Sequence, residues 1–350
     1  MKVVLVGKFS KGSLESSYLR AFRSFDVPVE VVDLQKFYIH IEWWLRSRLG
    51  HRVLLNNFKM RRLGVRRWIQ EIGQELKKFA PDLVIFFNGH FVFPELVESI
   101  QDMGARCGCY FADNPLPGNY NARPEVIPSA KRMDFFWVWS PELAQQLRSR
   151  GIRAEYLPFA WDPDLHPSKT QGVGDDAGSH DVEITFIGTW DPEREEILEM
   201  IAAHFDLKIW GSDYWQKRTR RGSLVRKAWQ GNAVTGAVAA EIYRKSKINL
   251  NFYRRQHFFG GEFNGTIMRN FEVPGAGGFL LSPENPVVEE LFPKDFAGIY
   301  FNSLRDCLTK IDSILNDQSL RERIIENAHS IVAGSHTYRH RVIEILENFK

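Results

Sequence analysis

DLVIFFNGHFVFPELVESIQDMGARCGCYFADNP, residues 82–115, decides the fold. Two short, near-continuously apolar runs, DLVIFFNG and ARCGCYFAD, flank an amphipathic stretch. A strand solvated on one face alternates apolar and polar residues, whereas a strand covered on both faces by helices does not. These runs therefore predict a parallel sheet with crossover helices. Working outward, the same alternation gives KVVLVG and PVEVVDL upstream and DFFWVWS and AEYLPFA downstream. Between them, residues 66–79 place Trp68, Ile69, Ile72, Leu76 and Phe79 at helical spacing, and Ser140-Pro141-Glu142 opens a helix that Gly151 closes.

Residues 166–181, HPSKTQGVGDDAGSHD, carry no apolar periodicity and read as a linker. Beyond it the alternation restarts with EITFIGTW, a helix over 193–205, LKIWG, KINLNFY, GFLLS and AGIYFN. Helices over about 303–316 and 320–333 follow. A chain of 350 residues exceeds one ordinary hydrophobic core. The expectation is an α/β protein of two Rossmann-like, doubly wound parallel-sheet domains facing across a cleft. Their expected bounds are 1–165 on the acceptor side and 182–335 on the nucleotide side, with a terminal helix over 336–350 returning to the first domain.

Composition narrows the function classes. Hydrophobic residues at 44% and charged residues at 25% suit a soluble globular protein. Three cysteines imply no disulfide framework, and no apolar run approaches a membrane span, so a cytoplasmic home is expected. A net charge of +3 is too small to argue for nucleic acid, and neither a reading helix nor a stacking platform is evident. Cations do cluster: residues 41–80 hold ten Lys/Arg against three Glu, with Trp43, Trp44 and Trp68 among them. The segment from Trp43 to Arg67 reads either as a face for an anionic membrane surface or as solvated arginines over buried tryptophans. A second cluster lies between Lys217 and Lys227.

Doubly wound sheets bind ligands beyond the carboxyl ends of their strands, so chemistry is sought in those loops. Gly7-Lys8-Phe9-Ser10-Lys11-Gly12-Ser13 fails both the dinucleotide fingerprint and the phosphate loop of nucleotide hydrolases. Gly7, Gly12 and Ser13 remain as an acceptor-side loop or a plain turn. Asn88-Gly89-His90 and Asp113-Asn114-Pro115 each follow a strand, and His90 and Asp113 are candidates to position or deprotonate an acceptor hydroxyl. The alternative is an Asx turn with His90 on its rim. Gly188-Thr189 followed by Arg194 at a helix start can hold a pyrophosphate, or Arg194 can pair with neighbouring glutamates. GGEFNGTIMRNFEVPGAGGFLLS, residues 260–282, puts Arg269 and Glu272 on one helix face, ended by Pro274. There Glu272 can accept ribose hydroxyls, while Arg269 and the N–H groups of Asn264, Gly265 and Thr266 face phosphate.

At this last segment the sequence resembles the GT-B glycosyltransferases, particularly the CgeB-like, spore-maturation branch. ITFIGTWDPEREEIL, LKIWG, IMRNFEVPGAGGFLLS and SHTYRHR carry the resemblance in order, and GCYFADNP and SPELAQQLRSRGIRAEYLPFAWDPDLH match more loosely. It implies a hexosyltransferase-like enzyme of polysaccharide biosynthesis that uses a nucleotide-diphosphate sugar, a UDP-sugar by preference, with no obligatory metal or cofactor. Glycan, lipid-linked or protein acceptors are open, with peripheral contact at the inner face of the membrane. Glu272 falls where the retaining branch places its ribose-binding glutamate, and Asn264 stands at the partner acidic position. An amide there binds hydroxyls without stabilising oxocarbenium charge. Retention is preferred; inversion would make Asp113 the base. A nucleotide-sugar epimerase or hydrolase, or a non-catalytic coat-associated protein, are the rival readings.

Overall fold

The computed structural model describes residues 1–47, 57–119, 122–168, 182–254 and 264–349. Most of the linker, residues 255–263, which take in the start of the glycine-rich segment, and residues 48–56 of the basic segment lie outside them. The chain divides into two compact units, Met1–Pro158 with Val342–Lys350, and Phe159–Arg341.

The first unit is built on a six-stranded sheet of order β2-β1-β3-β4-β5-β6. Its strands are β1 Val3–Gly7, β2 Val29–Asp33, β3 Leu83–Phe87, β4 Arg106–Phe111, β5 Phe135–Val138 and β6 Ala154–Tyr156. All neighbours pair in parallel. β1 and β3 are buried at every residue, which is why the sequence shows no alternation there. Helix caps follow the local chemistry: Ser13 accepts from Ser16 N–H ahead of Leu14–Arg23, and Ser140 accepts from Leu143 N–H ahead of Pro141–Arg148. Gly151, at φ +78°, takes the left-handed conformation that stops that helix. At the C-terminus Asn348 donates to Glu155, and the Arg106 guanidinium lies over Phe349 while donating to its carbonyl.

The second unit carries a parallel sheet of order β12-β11-β10-β7-β8-β9. The strands are β7 Val182–Ile187, β8 Leu207–Trp210, β9 Trp229–Gly231, β10 Ser246–Leu250, β11 Leu280–Pro283 and β12 Ile299–Phe301. Its core joins Ile184, Phe186, Leu250, Phe252 and Leu281 to Ile311 and Ile324 of the covering helices. Two details depart from the sequence reading. β9, three residues long and at the sheet edge, is not in the reading because it lacks an apolar run. Pro274 lies inside the helix Arg269–Ala276 rather than ending it; the stop is Gly277, left-handed at φ +88°. At the sixth helical position the proline forgoes the N–H that would donate to the Asn270 carbonyl. No described helix is long and apolar enough to cross a membrane.

Candidate active site

In each sheet the strand order reverses once, between β1 and β3 and between β7 and β10. At such a switch point adjacent crossovers leave in opposite directions and open a crevice beyond the carboxyl ends. Gly7 ends β1 and His90 follows β3 at the first of these points, and Gly188, Thr189 and Arg194 follow β7 at the second.

In the second unit, β7 runs into Gly188 and Thr189, and Asp191 caps the helix Pro192–Ala202 by accepting from Glu193 N–H. Gly188 is required by packing, since a Cβ there would lie 2.7 Å from the Phe186 ring. Arg194 is buried. Its guanidinium donates to the carbonyls of Thr189 and Phe252 and lies over the Phe186 ring, bridging the loops after β7 and β10. It therefore does not pair with the neighbouring glutamates; Glu195 instead accepts from the Trp190 indole. Burial first, then Arg254 and Arg269, lowers the Arg194 pKa to about 9. Three guanidiniums thus converge, and the buried Nε of each has no hydrogen-bond partner among the described residues. Like charges gathered this way are costly unless an anion joins them.

Arg269 opens the helix Arg269–Ala276. Burial lowers its pKa, but Tyr243, which hydrogen-bonds it, and Glu272 outweigh that and leave it raised and charged. Glu272 lies 4.0 Å from His166 Nε2, which accepts from Gly236 N–H at 3.3 Å, while His166 Nδ1 is buried without a partner. Behind the helix the backbone approaches closely: a Cβ on Gly275 would enter the Trp161 indole, and one on Gly278 would sit 2.8 Å from the Tyr243 carbonyl. Thr266 Oγ1 accepts from Phe159 N–H, and the Gly265 carbonyl accepts from Asn285, so both fix the loop ahead of the helix. Asn264 stands at the edge of the described residues, half-buried.

In the first unit a pocket of about 140 Å³ opens at the ends of β1 and β3. Tyr38, Trp68, Phe87 and Phe91 wall it, and Lys8, Glu15, Asn88 and His90 supply its polar groups. Asn88 and Phe91 hold positive φ of 60° and 65°. The buried pair Arg61–Glu125 secures this turn: Glu125 accepts from Phe91 N–H at 3.0 Å, and Arg61 lies over the Phe91 ring. Gly7 makes room for Glu15, whose Cγ would lie 2.5 Å from a Cβ there. Gly12, at φ +85°, forms the turn, and Ser13 is the helix cap. Asp113 does not line this pocket. It follows β4, with its carbonyl accepting from Trp139, and Asn114 forms an Asx turn to Leu116.

The sequence reading missed Arg254, Glu15 and the Arg61–Glu125 pair. Arg254 followed a recognised strand and was findable by position. Glu15 lies seven residues beyond Lys8 on a helix, and Glu125 lies 64 residues from Arg61, so only folding reveals them.

Residues 194–347 match the family model described as "Glycosyl transferase-like". Comparison with curated proteins gives no match. Among solved structures, a glycosyltransferase from Rickettsia africae is 13% identical with a TM-score of 0.66, covering 100% of this chain and 97% of its own. The Anabaena protein HepE, in complex with UDP and glucose, is 12% identical with a TM-score of 0.61, covering 99% and 98%. The α,α-trehalose-phosphate synthase (UDP-forming) of Burkholderia xenovorans, in complex with glucose-6-phosphate, is 12% identical with a TM-score of 0.68, covering 99% and 100%. The two parallel six-stranded sheets and this near-complete coverage show that the chain has the GT-B glycosyltransferase fold.

Proposed function

We propose that the protein transfers a sugar from a nucleoside-diphosphate sugar, a UDP-sugar in the first instance, to an acceptor hydroxyl. The observation that carries this reading is the gathering of Arg194, Arg254 and Arg269 at the β7/β10 switch point, where Asp191 and Glu272 act at longer range but no described carboxylate lies within ion-pair distance of the three. A diphosphate supplies the missing negative charge, and guanidiniums match its oxygens in fork geometry. N–H groups at the starts of Pro192–Ala202 and Arg269–Ala276 add positive potential.

Glu272, on the same helix face as Arg269, accepts the ribose hydroxyls. As the glycosidic bond breaks, charge builds on the departing diphosphate, and the arginines stabilise it where a divalent cation otherwise would. In the retaining route the donor's own phosphate oxygen takes the acceptor proton, and Asn264 binds sugar hydroxyls. The acceptor binds in the first unit's pocket, where aromatic faces suit the apolar faces of a sugar ring and Glu15 and His90 take its hydroxyls. In the inverting alternative a base must be provided by the chain, and Asp113→Asn then abolishes turnover while sparing donor binding.

Calorimetry with UDP, GDP, dTDP, CDP and ADP tests the donor site. UDP is expected to bind the wild type, with Arg254→Ala weakening it by about 10- to 100-fold, the worth of a charge-assisted hydrogen bond. Glu272→Ala is expected to weaken nucleoside diphosphates but not inorganic pyrophosphate. Failure of every nucleotide to bind the folded wild type would remove the reading.

A further inference from the structure

The first unit exposes an unusual surface. Of the seven large hydrophobic side chains that face solvent among its described residues, five lie between residues 38 and 63: Tyr38, Ile39, Trp43, Met60 and Leu63. Ile39 and Trp43 are each 70% exposed and Leu63 60%. Single exposed apolar residues need no explanation, but a group this concentrated does. The helix Phe58–Gly64 inverts the usual pattern. Arg61 and Gly64 are its buried residues, while Lys59, Met60, Arg62 and Leu63 point outward. Glu42 N–H donates to the Gly64 carbonyl at 2.9 Å, which sets the Trp43 turn against the end of this helix.

Beside the apolar group runs a groove of about 480 Å³ between Phe58–Gly64 and Arg66–Phe79, lined by Lys59, Arg62, Leu63 and Arg66 with Glu95. Glu95 neutralises Arg62, and Lys59 and Arg66 have no carboxylate within ion-pair distance among the described residues. Apolar side chains flanked by uncompensated cations are the composition of a helix that lies in a membrane interface. The apolar groups enter the acyl boundary, and the cations meet anionic headgroups.

We propose that the Trp43 turn and the outer face of Phe58–Gly64 form a docking surface for an anionic lipid bilayer. Tyr38 belongs both to this surface and to the wall of the 140 Å³ pocket. If the transfer reading holds, the acceptor that reaches that pocket is therefore lipid-linked; the docking surface itself does not rest on that reading.

Sedimentation of the full chain with phosphatidylcholine vesicles, with and without 30% phosphatidylglycerol, tests the proposal. Binding is expected only with the anionic lipid. The triple variant Lys59→Glu, Arg62→Glu, Arg66→Glu is expected to lower vesicle affinity at least about tenfold. Trp43→Ala with Leu63→Ala, which leaves all charges in place, should also lower it several-fold. Arg220→Glu with Arg221→Glu, on the second basic cluster, should leave binding unchanged. Equal loss in that control would mean net charge alone drives binding and would overturn the proposal. So would indifference to phosphatidylglycerol, or displacement by millimolar inorganic phosphate at constant ionic strength. Near-ultraviolet circular dichroism and the first unit's own thermal transition report that the variants are folded, and their UDP binding separates failure of the membrane surface from failure of the transfer reading.

Discussion

Arg194 is held by two backbone carbonyls yet sits beside two other guanidiniums, so its protonation state couples to whatever anion enters. With its pKa near 9 it is charged at neutral pH and loses its proton above that value. Diphosphate affinity should be steady below pH 9 and fall above it. The ratio of wild-type to Arg194→Met affinity, measured calorimetrically from pH 7 to 10.5, should drop by up to about tenfold per pH unit past 9. A flat ratio would mean Arg194 only ties loops together. Stability runs the opposite way: a folded pKa below the unfolded one makes the cation a cost below pH 9, relieved as pH rises further. At this scale the sequence was half legible. Residues after strand ends, such as His90, Arg194 and Arg269, announce themselves by position, and a helix face pairs Arg269 with Glu272. Glu15 and Glu125 reach their places through tertiary packing, for which no local pattern exists. Asp113 was read from its strand-end position as a candidate to hold or deprotonate an acceptor hydroxyl, with an Asx turn as the alternative; Asn114 makes that turn, and Asp113 is not among the residues lining the 140 Å³ pocket.

Among the elements, the helix Arg269–Ala276 shows how glycine sets the site. It stands close to its neighbours because Gly275 meets Trp161 and Gly278 meets the Tyr243 backbone. Tyr243 is the hydrogen-bond partner of Arg269, so this packing also aims the arginine. Gly278→Ala should cost about 1–3 kcal/mol, since a carbonyl 2.8 Å away cannot rotate aside. Gly334→Ala, in the helix Gln318–Ser335 with nothing within 4 Å of the new methyl, should instead stabilise by about 0.5–1 kcal/mol. Chemical denaturation of both variants checks the signs. The sequence reading ends one helix near residue 333 and opens a terminal one at 336; the structure ends the first at Ser335, with Val332 fully buried in its last turns, and opens the next at Tyr338. Buried strands were the most legible elements, since burial on both faces writes an unbroken apolar run into the chain, whereas the edge strand Trp229–Gly231 has no such requirement.

At the level of the whole molecule, the two sheets repeat one architectural solution with different contents. One switch point is lined by guanidiniums, the other by aromatic rings, a carboxylate and an imidazole. The first unit is discontinuous in sequence, taking in Val342–Lys350 after the chain has built the second. Val342 and Ile345 are buried, and Arg106 and Glu155 each hydrogen-bond the last turns. Removing residues 342–350 should therefore destabilise the first unit by about 4 kcal/mol or more, from two buried aliphatic side chains alone. Calorimetric unfolding of the truncated chain should show the loss as a lower first transition. Because Arg194, Arg254, Arg269 and Glu272 all belong to Phe159–Arg341, UDP should still raise the melting temperature of the second transition. If truncation abolished that shift while the second unit remained folded, the nucleotide site would depend on the first unit's integrity, and its assignment to residues of the second unit alone would fall.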